Sequence, residues 1–147
     1  IAMSSAFSYA LTTEQLGSIL TNWLSALNVA NNPLLFLFGV NIVLLVLGMF
    51  MDSTATLIIL TPFLVPLAQS MGIDLVFFGV LIVFNLMIGL STPPYGMSLF
   101  TVARVAHLRV EEVISSIFPF IVVLIITLLL VTIFPALILW LPSLIYT

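Results

Sequence analysis

Two short stretches carry most of the polar chemistry in this chain. The first is Gly89-Leu90-Ser91-Thr92-Pro93-Pro94-Tyr95-Gly96, set inside an otherwise apolar run. Pro93 and Pro94 have no amide hydrogen. Thr92 and Pro93 are each pushed away from the helical region by the proline that follows, and two glycines loosen the ends. A helix in hydrocarbon must satisfy its backbone internally, so a break at membrane depth is tolerated only where protein buries it or it lines a wet cavity. In such a place freed carbonyls and the Ser91 and Thr92 hydroxyls can coordinate a small cation. The alternative is a plain proline kink. The second stretch is Asp52-Ser53-Thr54. Read as the tip of a re-entrant hairpin it puts a carboxylate deep in the membrane, where an acid is costly and functional. Read as a helix start it is good N-cap material, and the two readings are not exclusive.

Other chemistries lack their residues. There is no glycine-lysine nucleotide loop and no histidine pair for zinc, and Gly89-Leu90-Ser91 continues into Thr92-Pro93, which no nucleophile elbow does. Pairing Asp52 with Asp74 as a protease dyad is disfavoured because Asp74 sits in a turn beside Gly72. The chain is therefore not read as an enzyme, and no resident cofactor is expected. Two arginines cannot form the basic footprint that nucleic acid requires.

These stretches must be positioned by membrane helices. Of 147 residues, 63% are hydrophobic and 5% charged, with mean hydropathy +1.44, whereas about a quarter of an ordinary globular chain is charged. The intervals 15–51, 75–103 and 113–147 hold no formal charge, each longer than the roughly 20 apolar residues that cross a bilayer. Five acids and two arginines give a net charge of −3, too few charges to steer a ligand, and the absence of cysteine removes disulfides and thiolate sites. Ile1 is preceded by no Met and no basic segment leads into an apolar core, so no signal peptide is read and the chain looks like part of something longer.

In order, residues 1–32 read as the end of a membrane helix followed by an amphipathic connecting helix. That helix starts at Thr12-Thr13-Glu14-Gln15, with Leu16, Ile19, Leu20, Trp23, Leu24 and Leu27 at helical spacing. Residues 33–70 form two apolar legs of about 15 residues each, short for full crossings, so the spacing predicts a re-entrant hairpin with Asp52 at its tip. In 71–110, Gly72 suits a helix C-cap and Asp74 the next helix start. Residues 74–106 number 33, too many for one straight span and too few for two with a turn, which predicts a broken transmembrane helix. Asn85 within it either hydrogen-bonds to a neighbouring helix or reaches the site. Arg104, His107 and Arg109 mark a cytoplasmic loop, with His107 solvated. Residues 111–147 hold a span opened by Glu111 and Glu112 and crossed by Pro119, then an interfacial end with Trp140 and Tyr146.

Five ordered segments also resemble a known family. Gly48-Met49-Phe50-Met51-Asp52, Ile58-Ile59-Leu60-Thr61-Pro62-Phe63-Leu64-Val65-Pro66, Gly72-Ile73-Asp74, Phe78-Gly79-Val80 and the octet at 89–96 are similar to the C-terminal part of the large membrane subunit of tripartite ATP-independent periplasmic (TRAP) transporters. The match runs over 34–144 and is weaker before it. The resemblance implies an all-α polytopic protein of the bacterial inner membrane, this stretch being the second inverted repeat of an elevator-type transporter. It also implies sodium-coupled import of an organic anion such as a C4-dicarboxylate or sialic acid. The partners would be a small membrane subunit and a periplasmic substrate-binding protein that delivers the anion. Carried over position by position, it gives Gly48, Gly89, Ser91, Thr92 and Pro93 as sodium-binding candidates. Asp52, Ser53, Thr54, Pro94 and Gly96 are the substrate-binding candidates, although a carboxylate at Asp52 should repel an anion unless it faces sodium. The competing reading is a non-transporting structural or ion-conducting subunit of a larger membrane complex.

Overall fold

The computed structural model describes residues 32–145, and all its regular structure is helical. The helices are α1 (Pro33–Phe50), α2 (Ser53–Ser70), α3 (Leu75–Leu90), α4 (Met97–Ala106), α5 (Val110–Ile133) and α6 (Ala136–Ile145). The expected helix end and amphipathic helix before residue 32, and Tyr146, lie outside the described residues.

The boundaries follow from local chemistry. Pro33 opens α1, where its missing N–H costs nothing. Helix α2 ends in a Schellman turn: Gly72, at φ +70°, donates its N–H to Gln69 O and Ile73 donates to Ala68 O, each at 3.0 Å. Asp74 then caps α3, its Oδ1 accepting the Phe77 amide at 2.9 Å. The break occupies 91–96, between α3 and α4. His107, exposed and left-handed at φ 54°, ends α4. Glu111 and Glu112 lie in the first turn of α5, where carboxylates offset the helix dipole. Pro119 lies within α5, which continues through it, and Pro135 lies in the turn before α6.

The hairpin legs are longer than the apolar pattern suggests. Each is an 18-residue helix, about 27 Å at 1.5 Å per residue, and in α2 the polar Ser53-Thr54 and Gln69-Ser70 are helical too. Helices α1, α2 and α5 are each long and apolar enough to cross a membrane. Leg length therefore does not itself distinguish a re-entrant pair from two crossings.

Helix α3 is the centre. It packs against α1, α2, α5 and α6, most extensively against α1. Leu37, Val40 and Leu44 of α1 meet Phe78, Leu81 and Leu86 of α3 in a core that Leu128 of α5 closes. The polarity is that of a membrane protein: Asn41, Ser53, Thr56, Asn85, Thr92 and Thr132 are buried, while Ile42, Val43 and Val46 of α1 and Phe118, Phe120 and Val123 of α5 face outward. Apolar contact between helices brings no hydrophobic gain in lipid, so small residues and hydrogen bonds hold the inside.

Candidate functional site

The tip and the break are brought together by two glycines. Gly48, near the end of α1, crosses Gly89, near the end of α3, so closely that a Cβ on Gly89 would stand 2.8 Å from Gly48 Cα. Beside this crossing the Ser53 hydroxyl donates to Leu86 O at 3.4 Å, tying the start of α2 to α3. The Phe50 and Tyr95 rings meet at 5.5 Å, tilted by 49°. Thus the C-terminal ends of α1 and α3, each the negative pole of a helix dipole, lie against one another.

At the tip, the α1 ladder closes with Met51 N donating to Leu47 O at 2.8 Å. The carbonyls of Gly48, Met49 and Phe50 lie past its end. Met51 and Asp52 are extended, and Asp52 caps α2: its Oδ1 accepts from Thr54 N at 2.9 Å and Ala55 N at 3.2 Å. The capping reading of Asp52 is therefore the one its contacts express. Asp52 and Thr54 are exposed and Ser53 is buried.

At the break, Ser91 N donates to Ile88 O at 3.1 Å and Thr92 N to Gly89 O at 3.0 Å, and hydroxyls add to them or, at Leu90 O, replace the amide that Pro94 lacks. Ser91 Oγ donates to Met87 O at 3.3 Å, Thr92 Oγ1 to Ile88 O at 2.6 Å, and Ser98 Oγ, from the far side, to Leu90 O at 2.9 Å. The carbonyls expected to be freed are thus partly occupied. Each hydroxyl commits its proton and keeps oxygen lone pairs as acceptors, which is the state a cation ligand needs. Thr92 and Gly96 are buried, Pro93 is half-buried, and Pro94 and Tyr95 are exposed, with the Pro93–Pro94 bond cis. A Cβ at Gly96 would lie 2.9 Å from Thr92 O and 3.0 Å from Leu90 O, so only glycine lets α4 start this close to the end of α3.

Of the sodium candidates, Gly48 and Gly89 are in contact, with Ser91, Thr92 and Pro93 directly following the end of α3. Of the substrate candidates, Ser53 reaches α3 and Gly96 lies within the break. Asp52, Thr54 and Pro94 are at the surface, with Asp52 turned onto its own helix. The sequence reading missed Ser98, whose signal was a hydroxyl one residue inside the second half-helix. Asn85 belongs to packing: its Nδ2 donates to Asn41 O at 3.0 Å and Asn41 Oδ1 at 2.8 Å, and Asn41 Nδ2 donates to Thr132 Oγ1 at 2.8 Å.

Residues 1–137 match the family model described as "Tripartite ATP-independent periplasmic transporter, DctM component". The chain is 47% identical over 116 residues to a sialic acid TRAP transporter permease protein, SiaT, of Haemophilus influenzae, covering 79% of this chain and 19% of that protein. It is 44% identical over 138 residues to the sialic acid large permease protein SiaM of Vibrio cholerae, covering 94% and 32%. It is 38% identical over 143 residues to the C4-dicarboxylate large permease protein DctM of Pseudomonas aeruginosa, covering 97% and 33%. The chain spans about a third of the length of these two large permeases and a smaller share of SiaT.

Proposed function

This chain belongs to the DctM-component family of tripartite ATP-independent periplasmic transporters, and from that premise we propose that it forms the C-terminal part of a large permease subunit importing an organic anion with sodium. The anion is a carboxylate, such as sialic acid or a C4-dicarboxylate, the solutes named for the relatives above. A periplasmic binding protein delivers it and a small membrane subunit completes the complex in the bacterial inner membrane. The hairpin at 33–70 is re-entrant in this reading, and the domain moves as an elevator.

The observation that carries the proposal is the crossing of Gly48 and Gly89. It sets two helix C-terminal ends together beside the Thr92 hydroxyl. Sodium is a hard cation that takes oxygen ligands, and discontinuous helices supply carbonyl ends for it and N-terminal ends for an anion. Carbonyls from the ends of α1 and α3, with the Ser91 and Thr92 oxygens, hold sodium. The starts of α2 and α4, at Ser53 and Gly96, face the carboxylate. In this scheme the Asp52 charge is engaged by two amides of α2, which lessens its repulsion of an anion. Sodium draws the tip onto the break and so completes the anion site, which couples the two.

The test is uptake of candidate carboxylates into proteoliposomes holding the full-length complex and its binding protein, under an inward sodium gradient. Thr92→Val keeps the shape and removes one ligand oxygen. A polar contact to a charge contributes about 1.5 to 3 kcal/mol, so half-saturating sodium should rise roughly tenfold or more, while Thr92→Ser stays near wild type. Sodium-driven uptake that is unchanged in Thr92→Val would remove this site and leave the transport reading. Absence of uptake of any organic acid under any gradient would favour a structural or ion-conducting subunit.

A further inference from the structure

The last carbonyl of α3 has lost both of its ordinary donors. Leu90 O would accept from the amide of residue 94 in an α-helix, or of residue 93 in a tighter turn. Both positions are proline, which has no amide hydrogen. The replacement comes from across the break. Ser98 Oγ, in the first turn of α4, donates to Leu90 O at 2.9 Å and stands 3.5 Å from Ser91 Oγ. The hydroxyl has one proton, and the shorter contact, to the carbonyl, takes it. Ser91 Oγ spends its own proton on Met87 O at 3.3 Å, so it faces Ser98 as an acceptor.

Ser98 thereby joins two helix ends of opposite polarity. Its hydroxyl holds the end of α3, a negative pole, while its backbone amide belongs to the first turn of α4, a positive pole. The main-chain tie at this place, Gly96 N donating to Thr92 O at 3.2 Å, stays within the break. The Ser98 hydroxyl reaches past it into α3.

We propose that Ser98 is a positioning residue that couples the sodium and carboxylate sites of the reading above, on which this inference rests. It fixes Leu90 O and the Ser91 oxygen relative to the α4 start that faces the carboxylate, so occupancy of one end sets the geometry of the other. Linkage is reciprocal: each ligand raises the affinity for the other by one common factor. Loss of the Ser98 bond shrinks that factor. A residue that only shores up the fold would weaken both sites and leave the factor as it was.

The experiment titrates the full-length complex in detergent with sodium, first without a carboxylate and then with a saturating one, sialic acid or succinate according to which the wild type carries. Binding is read from the sodium-dependent rise in melting temperature, and the ratio of the two apparent sodium Kd values is the coupling factor. Ser98→Ala should reduce this ratio about fivefold, the worth of one ordinary hydrogen bond, or bring it to one where the wild-type ratio is smaller. Ser98→Thr keeps the hydroxyl and should keep the ratio. Where Ser98→Ala does not fold, Ser98→Cys fills the same space with a weak donor and carries the same expectation. An unchanged ratio in the hydroxyl-free variant, whatever happens to sodium affinity itself, would overturn the proposal. So would a wild-type ratio of one, or Ser98→Thr losing as much as Ser98→Ala. Each of these results, found beside sodium-driven uptake that Thr92→Val shifts, would leave the sodium site standing, whereas absence of sodium-driven uptake removes both.

Discussion

Replacing Gly89 by alanine tests the crossing on which the site depends. The new Cβ would lie 2.8 Å from Gly48 Cα, 2.9 Å from Gly48 C and 3.2 Å from Leu45 O. All three neighbours are backbone atoms, so no side-chain rotation relieves them. Ordinary contact begins near 3.4 Å, and the two helices must separate by about 0.6 Å. Overpacking of this kind costs roughly 1 to 3 kcal/mol, against a helix-propensity gain of up to about 1 kcal/mol for Gly→Ala. The net expectation is a loss of about 1 to 2 kcal/mol. Gly48→Ala is milder, because its Cβ would stand 3.2 Å from Gly89 Cα and 3.4 Å from Leu86 O, so strain and propensity nearly cancel. Gly79→Ala in the same helix meets nothing within 4 Å and serves as the control, neutral or slightly stabilising. Thermal unfolding of the full-length complex in detergent gives the stability order, and sodium titration of uptake gives the functional one. Gly89→Ala should fall lowest in both. A Gly89→Ala protein as stable as wild type with unchanged half-saturating sodium would refute the argument, as would Gly48→Ala proving worse than Gly89→Ala.

The other expectations follow from single contacts. Asn85→Leu leaves buried Asn41 Oδ1 without its donor and removes the added bond to Asn41 O, and should cost about 1 to 3 kcal/mol, read as a fall in melting temperature. Thr132→Val also loses two hydrogen bonds, the one accepted from Asn41 Nδ2 and the one donated to Leu128 O at 2.7 Å, and should cost a similar amount. Ser98→Ala removes the hydroxyl donor from Leu90 O across the break. It should cost about 1 kcal/mol and raise half-saturating sodium, by less than Thr92→Val does. Tyr95→Phe keeps the ring contact with Phe50 and should match wild type, whereas Tyr95→Ala loses about 0.5 to 1.5 kcal/mol of aromatic pairing, visible in unfolding of the detergent-solubilised complex.

The elements were legible where punctuation is local. Gly72, Asp74 and Pro93-Pro94 fix the end of α2, both ends of α3 and the start of α4, because a left-handed turn, a capping carboxylate and paired prolines each act within a few residues. The second leg of the hairpin was read short because polar residues at helix ends look like loop when judged by polarity, although Ser53-Thr54 and Gln69-Ser70 are helical. Which side of each helix faces inward was not legible. In α1 both sides are apolar, and what marks the inner one is Asn41 and Gly48. The contact of Gly48 with Gly89, and that of Asn41 with Thr132 across 91 positions, depend on helix crossings that no local pattern encodes. Ser91 and Thr92 were singled out by type, but their use in holding α3 carbonyls required coordinates, and Ser98 was found only there.

The Asn85, Asn41 and Thr132 chain also bears on motion. It crosses α3, α1 and α5 with every member at most 3% exposed, and sliding any one helix past the others must break at least one of its bonds with no water to replace it. At about 1 to 2 kcal/mol per bond, displacing α3 alone, which makes two of them, gives a sheared state populated at a few per cent or less. The chain of bonds thus ties these three helices into one body. The exposed turn around His107 shows no such buried bond between helices among the described residues, and there rotation of a few backbone bonds can carry a whole helix.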